Sequence, residues 1–154
     1  IAHKEDRVVV LDFLKAWSAP HDPNRVIGQM AEELKRWGIY RVTGDNYSGE
    51  FAAGAFKSNG IGFTKSDLPK SKLYKELLPR ICSSEIVLLD DPKLIDQLSS
   101  LERRTRSGGD DVIDHPPGMH DDIANVVAGV AASKPAPVVG GLWRVPGVYA
   151  GAGA

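Results

Sequence analysis

A chain of 154 residues has the size of a single domain, and a hydrophobic content of 42% is enough to fill a core. Its formal net charge of −1 excludes a global basic surplus, so any contact with a polyanion must use local basic patches or bound cations. The one cysteine, Cys82, excludes an internal disulfide and suits a reducing cytoplasm, and no apolar stretch approaches the ~18 residues of a membrane span.

The chain opens on "IAHKED" without an initiator Met and reads as a piece of a longer protein. "RVVVLDFLKAW" (7–17) is a continuous apolar run and predicts a buried strand. After the loop 18–24, Asp22 and Pro23 form a cap-plus-proline helix start. Val26, Ile27, Met30, Leu34 and Trp37 follow at helical spacing, and Gly38 ends the helix. "IYRVTGD" (39–45) predicts a second strand running into a Gly-Asp turn.

A short helix is expected over 48–58 and an extended piece over 61–63. "PKSKLYKELLPRI" (69–81) reads as a helix that stops before Pro79, and "EIVLL" (85–89) as a strand. Asp91 and Pro92 repeat the helix start, and Leu94, Ile95, Leu98 and Leu101 carry an apolar stripe to about Arg104. "RSGGDDV" reads as a turn, and a final helix follows over 121–132. Residues 133–154, rich in Pro, Gly and Ala, read as a tail without a core of its own. Strands alternating with helices indicate an α/β domain over 1–132.

Four groups of residues could carry chemistry. Asp45 follows a strand at its carboxyl end, where open α/β sheets place their sites, although local sequence by itself favours an Asp-Asn turn there. Asp121 and Asp122 precede the last helix. They can serve as a cap in the favourable field of the helix N-terminus, or as oxygen ligands of a divalent cation that relieves their repulsion. His115 and His120 flank that loop but lack the Cys/His spacing of a zinc site. Arg103, Arg104 and Arg106, and likewise Lys65, Lys70, Lys72 and Lys75, are either a solvated face or contacts for phosphates. Cys82 has no base near it in sequence, and no Walker-type phosphate loop is present.

Taken in order, "RVVVLDFLKAW", "LKRWGIYRVTGDNYSGEF", "KSKLYKELLPRI", "IVLLDDPKLIDQLSSLERRT" and "GGDDVIDHPPGMHDDIANVVAGVA" resemble the C-terminal nuclease domain of the phage terminase large subunit. The resemblance spans about residues 1 to 132. It implies an RNase H-like fold, a mixed sheet flanked by helices, with three catalytic acids. The second maps onto Asp45 and the third onto the pair Asp121 and Asp122, with either of the two as principal ligand. The first acid belongs to a strand upstream of Ile1, so the resemblance predicts an N-terminally incomplete domain with weak or absent cleavage by itself.

The activity implied is cutting of concatemeric double-stranded DNA by two-metal phosphodiester hydrolysis, with Mg²⁺ or Mn²⁺ as the ions. Arg103, Arg104, Arg106, Lys70 and Lys72 would contact phosphates. The implied partners are double-stranded DNA, the terminase ATPase domain, the small terminase subunit and the portal, in the cytoplasm of an infected or lysogenic bacterium. Competing readings are a non-catalytic DNA-binding or packaging-interface domain of the same fold, another RNase H-like nuclease such as a resolvase, and a small-molecule α/β enzyme. No cofactor fingerprint supports the last.

Overall fold

A computed structural model describes residues 1–18, 20, 22–44, 49–105 and 111–133. Their contacts divide into two units. One joins Ile1–Ala16 to the described residues from Asp67 onward, and the other is Trp17–Ser66.

The first unit starts with a hairpin. Strands β1 (Ala2–Glu5) and β2 (Val8–Leu11) pair antiparallel, with Ala2 opposite Leu11 and Glu5 opposite Val8. The two-residue loop puts Asp6 at φ 52, a left-handed conformation that Asp tolerates better than most residues. Alternate residues Val9 and Leu11 are buried. β5 (Ile86–Val87) lies parallel on the other side of β2, giving a mixed sheet of order β1-β2-β5.

Both of these strands are shorter than the apolar runs 7–17 and 85–89 suggest. After Leu11 the ladder closes, because the amides of Asp12 and Phe13 both donate to the Ile1 carbonyl (3.0 and 3.3 Å). The Asp12 carboxylate turns to the His3 ring, 2.8 Å away.

Helices α3 (Lys70–Cys82) and α5 (Asp122–Ala132) form the main packing contact. Leu73, Tyr74 and Leu77 meet Ala124, Ala128 and Ala131, spaced i, i+4 and i+7 on α5. Methyl-sized side chains let the helices approach closely. A second cluster joins Leu11, Leu94 and Val127, so α4 (Pro92–Ser99) and β2 share a core with α5. Asp91 caps α4 as expected, accepting from the Leu94 amide at 2.9 Å.

Three boundaries differ from the sequence reading. α3 runs through Pro79 to Cys82, because a proline in the last turn forfeits only one helical bond and the Pro79 carbonyl still receives the Ser83 amide at 2.9 Å. α4 stops at Ser99 instead of reaching Arg104, with the Ser99 and Ser100 hydroxyls bonding back to the carbonyls of Ile95 and Gln97. Residues beyond it form a second hairpin, β6 (Glu102–Thr105) against β7 (Asp111–Asp114), antiparallel with Glu102 opposite Asp114.

In the other unit, α1 (Pro23–Arg36) starts at the Asp22 cap, which accepts from the Asn24 amide at 3.0 Å, and Gly38 at φ 68 follows its end. β3 (Arg41–Gly44) and β4 (Gly62–Lys65) are parallel and joined by α2 (Gly49–Ser58). Ile27, Ala31, Phe56 and Ile61 make the core, with Phe56 and Phe63 stacked at 5.7 Å.

Candidate metal centre

The two adjacent aspartates have different fates. Asp122 is the first residue of α5 and is exposed. Asp121 stands at the cap position, yet its carboxylate makes no capping bond. The first free amides of α5 are taken instead by another helix: the Gln97 side-chain oxygen of α4 accepts from Ile123 (2.9 Å) and Ala124 (3.0 Å). That satisfies two donors that a helix start leaves open and frees Asp121.

The freed carboxylate turns inward. Asp121 is 6% exposed, the one buried charged side chain among the described residues. Its Oδ2 accepts from the Tyr74 hydroxyl at 2.8 Å and lies 3.1 Å from the Lys70 ammonium. Lys70 and Tyr74 are four residues apart on α3 and so share a face. Lys70 Nζ also donates to Asp114 Oδ1 at 2.6 Å.

Asp114 ends β7, and α3 holds that strand in place. The Ser71 hydroxyl donates to the Ile113 carbonyl (3.3 Å) and accepts from the Ile113 amide (3.1 Å). His115 comes next. Its Nδ1 donates to the Pro116 carbonyl at 2.9 Å, which in the neutral ring leaves the Nε2 lone pair available. Nε2 lies 3.7 Å from both Asp114 Oδ1 and Asp121 Oδ1.

Asp114, His115 and Asp121 therefore present one ligand atom each within 4.8 Å of one another, among the described residues. Two carboxylates and an imidazole make a donor set suited to a divalent cation, and the position already accepts a positive charge from Lys70.

The local electrostatics agree. The hydrogen bond from Lys70 holds Asp114 below the usual carboxylate range. Desolvation pulls Lys70 down, but its bonds to Asp114 and Asp121 outweigh this and its pKa is raised. Burial, reinforced by the bond to Asp121, raises Tyr74 far enough that it stays a protonated donor.

No protein-family model and no curated protein sequence matches the chain. The solved structures give a clear match. The crystal structure of the large terminase nuclease from thermophilic phage G20c superposes with a TM-score of 0.65 at 18% identity, covering 77% of this chain and 65% of that one. The same nuclease with bound cobalt gives 0.64 at 18% identity, over 75% of this chain and 64% of that one. With bound magnesium it gives 0.62 at 18% identity, over 73% and 62%. The chain has the fold of a phage large terminase nuclease. It spans a little under two thirds of the length of these terminase nuclease chains.

The remaining sequence candidates distribute unevenly over this terminase-nuclease fold. Asp45 directly follows Gly44, the last residue of β3, and lies outside the described residues, as does Arg106. Arg103 and Arg104 are exposed on β6, where they pair with Asp111 and Glu102. Lys72 is exposed on α3, and His120 is exposed in the loop before α5. Lys70 belongs to the acidic cluster. Sequence reasoning missed Asp114, Tyr74 and Gln97. The nearest signal for Asp114 was its place beside His115 in "IDH". No helix among the described residues is long and apolar enough to cross a membrane.

Proposed function

We propose that this chain is the metal-dependent DNA endonuclease domain of a phage packaging terminase, acting on double-stranded DNA concatemers. The observation that carries the reading is Asp121. It is a buried carboxylate at a helix start, relieved of capping by Gln97 and aimed at Asp114 and His115. The fold match to a nuclease whose crystals hold magnesium or cobalt supports it.

In this reading Asp121, Asp114 and His115 hold a divalent cation, Mg²⁺ or Mn²⁺. Asp121 is the principal ligand of the adjacent pair, and Asp122 and Asp45 are kept as the further catalytic carboxylates that the family resemblance implies. When bound, such ions provide an activated water and offset charge at the leaving oxygen. The protein's own part is positioning. Tyr74 fixes one oxygen of Asp121, and the Ser71 bridge fixes β7 and so Asp114. Arg103, Arg104, Arg106 and Lys72 would steer the phosphate backbone, giving affinity without sequence preference. The partners are the terminase ATPase domain, small subunit and portal, in the cytoplasm of the bacterial host.

Plasmid cleavage in Mn²⁺ by the complete terminase polypeptide is the test. Asp121→Asn and Asp45→Ala should each abolish cutting while thermal unfolding shows an intact fold. Undiminished cutting by either variant overturns the assignment of that residue, and by both, the reading.

A further inference from the structure

We propose that Lys70 is a resident counter-cation: its ammonium keeps the place of the divalent ion between Asp114 and Asp121 and is displaced when the ion binds. This rests on the metal-dependent reading above. The geometry is specific. Nζ lies 2.6 Å from Asp114 Oδ1, 3.1 Å from Asp121 Oδ2 and 3.4 Å from Asp121 Oδ1. Without a cation there, a buried carboxylate would face a second one across the same small space, an arrangement that strongly disfavours ionisation of both.

Lys70 is also in the wrong place to serve its own helix. It is the first residue of α3, where the helix field favours anions, and the first turn of α3 contains no acidic residue. What holds its charge at that end is the pair of carboxylates opposite. Its side chain is 30% exposed, and its flexible stem has a route outward.

The ammonium and a divalent ion exclude each other. An ion bound to these oxygens at the ~2.0–2.6 Å of Mg²⁺ or Ca²⁺ ligation would sit almost where Nζ sits. Two positive centres so close repel strongly in a poorly solvated site. Ion entry therefore requires Lys70 to leave. The coupling is reciprocal: whatever Lys70 contributes to the ion-free fold is subtracted from ion affinity.

Calorimetric titration with Mn²⁺ and thermal unfolding with and without Mn²⁺, on the wild type, Lys70→Met and Asp121→Asn, test the exchange. Methionine keeps the stem's bulk and removes the charge. Lys70→Met should bind Mn²⁺ at least about tenfold more tightly than the wild type. It should unfold at lower temperature than the wild type without the ion and recover the difference in excess Mn²⁺. Lys70→Gln, which keeps a donor but no charge, should behave alike. If Lys70 stays in place beside a bound ion, affinity will be unchanged or weaker and the stability loss equal with and without Mn²⁺, which overturns the proposal. The aspartate variant separates the two levels. Wild-type binding that Asp121→Asn removes and Lys70→Met leaves unchanged keeps the metal centre and rejects only the exchange. No Mn²⁺ binding by the wild type or by Lys70→Met rejects both.

Discussion

Replacing Gln97 by alanine removes the side-chain oxygen that caps the start of α5. Two amides, Ile123 and Ala124, lose the acceptor that now sits 2.9 and 3.0 Å away. Loss of a helix cap costs about 0.5–2 kcal/mol, and the upper half of that range applies here because the helix is central to both clusters of its unit. At roughly 2–4 °C per kcal/mol for a chain of this size, 1–2 kcal/mol lowers the unfolding temperature by about 2–8 °C. Calorimetric unfolding measures the loss, and amide hydrogen exchange locates it, with Ile123 and Ala124 exchanging faster than residues later in α5. The vacated amides also offer Asp121 the capping bond it does not now make, so Mn²⁺ affinity should fall as well. An unchanged unfolding temperature together with unchanged exchange at both amides would refute the idea that Gln97 does the capping.

Tyr74→Phe removes a donor to a buried carboxylate at 2.8 Å and should cost about 1.5–3 kcal/mol in denaturant unfolding; a loss under 0.5 kcal/mol would mean that the hydroxyl does not hold Asp121. Asp114 has its pKa lowered, chiefly by Lys70, so its contribution is present above its ordinary value of 3.8 and disappears as pH falls through the depressed folded value. Asp114→Asn should therefore flatten the acid limb of stability against pH, and an unaltered limb counts against the pairing. His3 has its pKa raised, first by its hydrogen bond to Asp12. Its stabilisation is complete below the ordinary value of 6.5 and is lost as pH rises through the higher folded value. An NMR titration should find His3 above 6.5 and find it lowered in Asp12→Asn; a midpoint that does not move excludes Asp12 as the cause.

Local chemistry made part of this legible. Both Asp-Pro pairs are helix starts with their capping bonds in place, because cap and proline act within one turn. The order strand, helix, extended piece over 39–63 was legible too, but apolar spacing does not find the buried face of α5, where Val126 is 56% exposed and Ala124, Val127, Ala128 and Ala131 are buried. Asp121 stood out because two like charges precede an apolar run. Its partners could not be read in the same way. Tyr74 lies 47 residues from Asp121, inside an apolar stripe where an aromatic looks like core, which it also is. Gln97 lies 26 residues from Ile123, and nothing in a single glutamine announces that it will cap another helix. β6 carries "ERRT" with every residue exposed, so no alternation marks it as a strand; only its pairing with β7 does. The same pairing brings Asp114 to the site, which explains why reading those residues as helix and turn hid it.

Paramagnetic broadening by Mn²⁺, followed residue by residue in NMR spectra, tests the central claim most directly, namely that a divalent ion binds between Asp114, His115 and Asp121. At low Mn²⁺ the first signals lost should be those of Asp114, His115, Asp121, Lys70 and Tyr74, and Asp121→Asn should abolish that pattern. Broadening centred elsewhere, or the same broadening in Asp121→Asn, would contradict it.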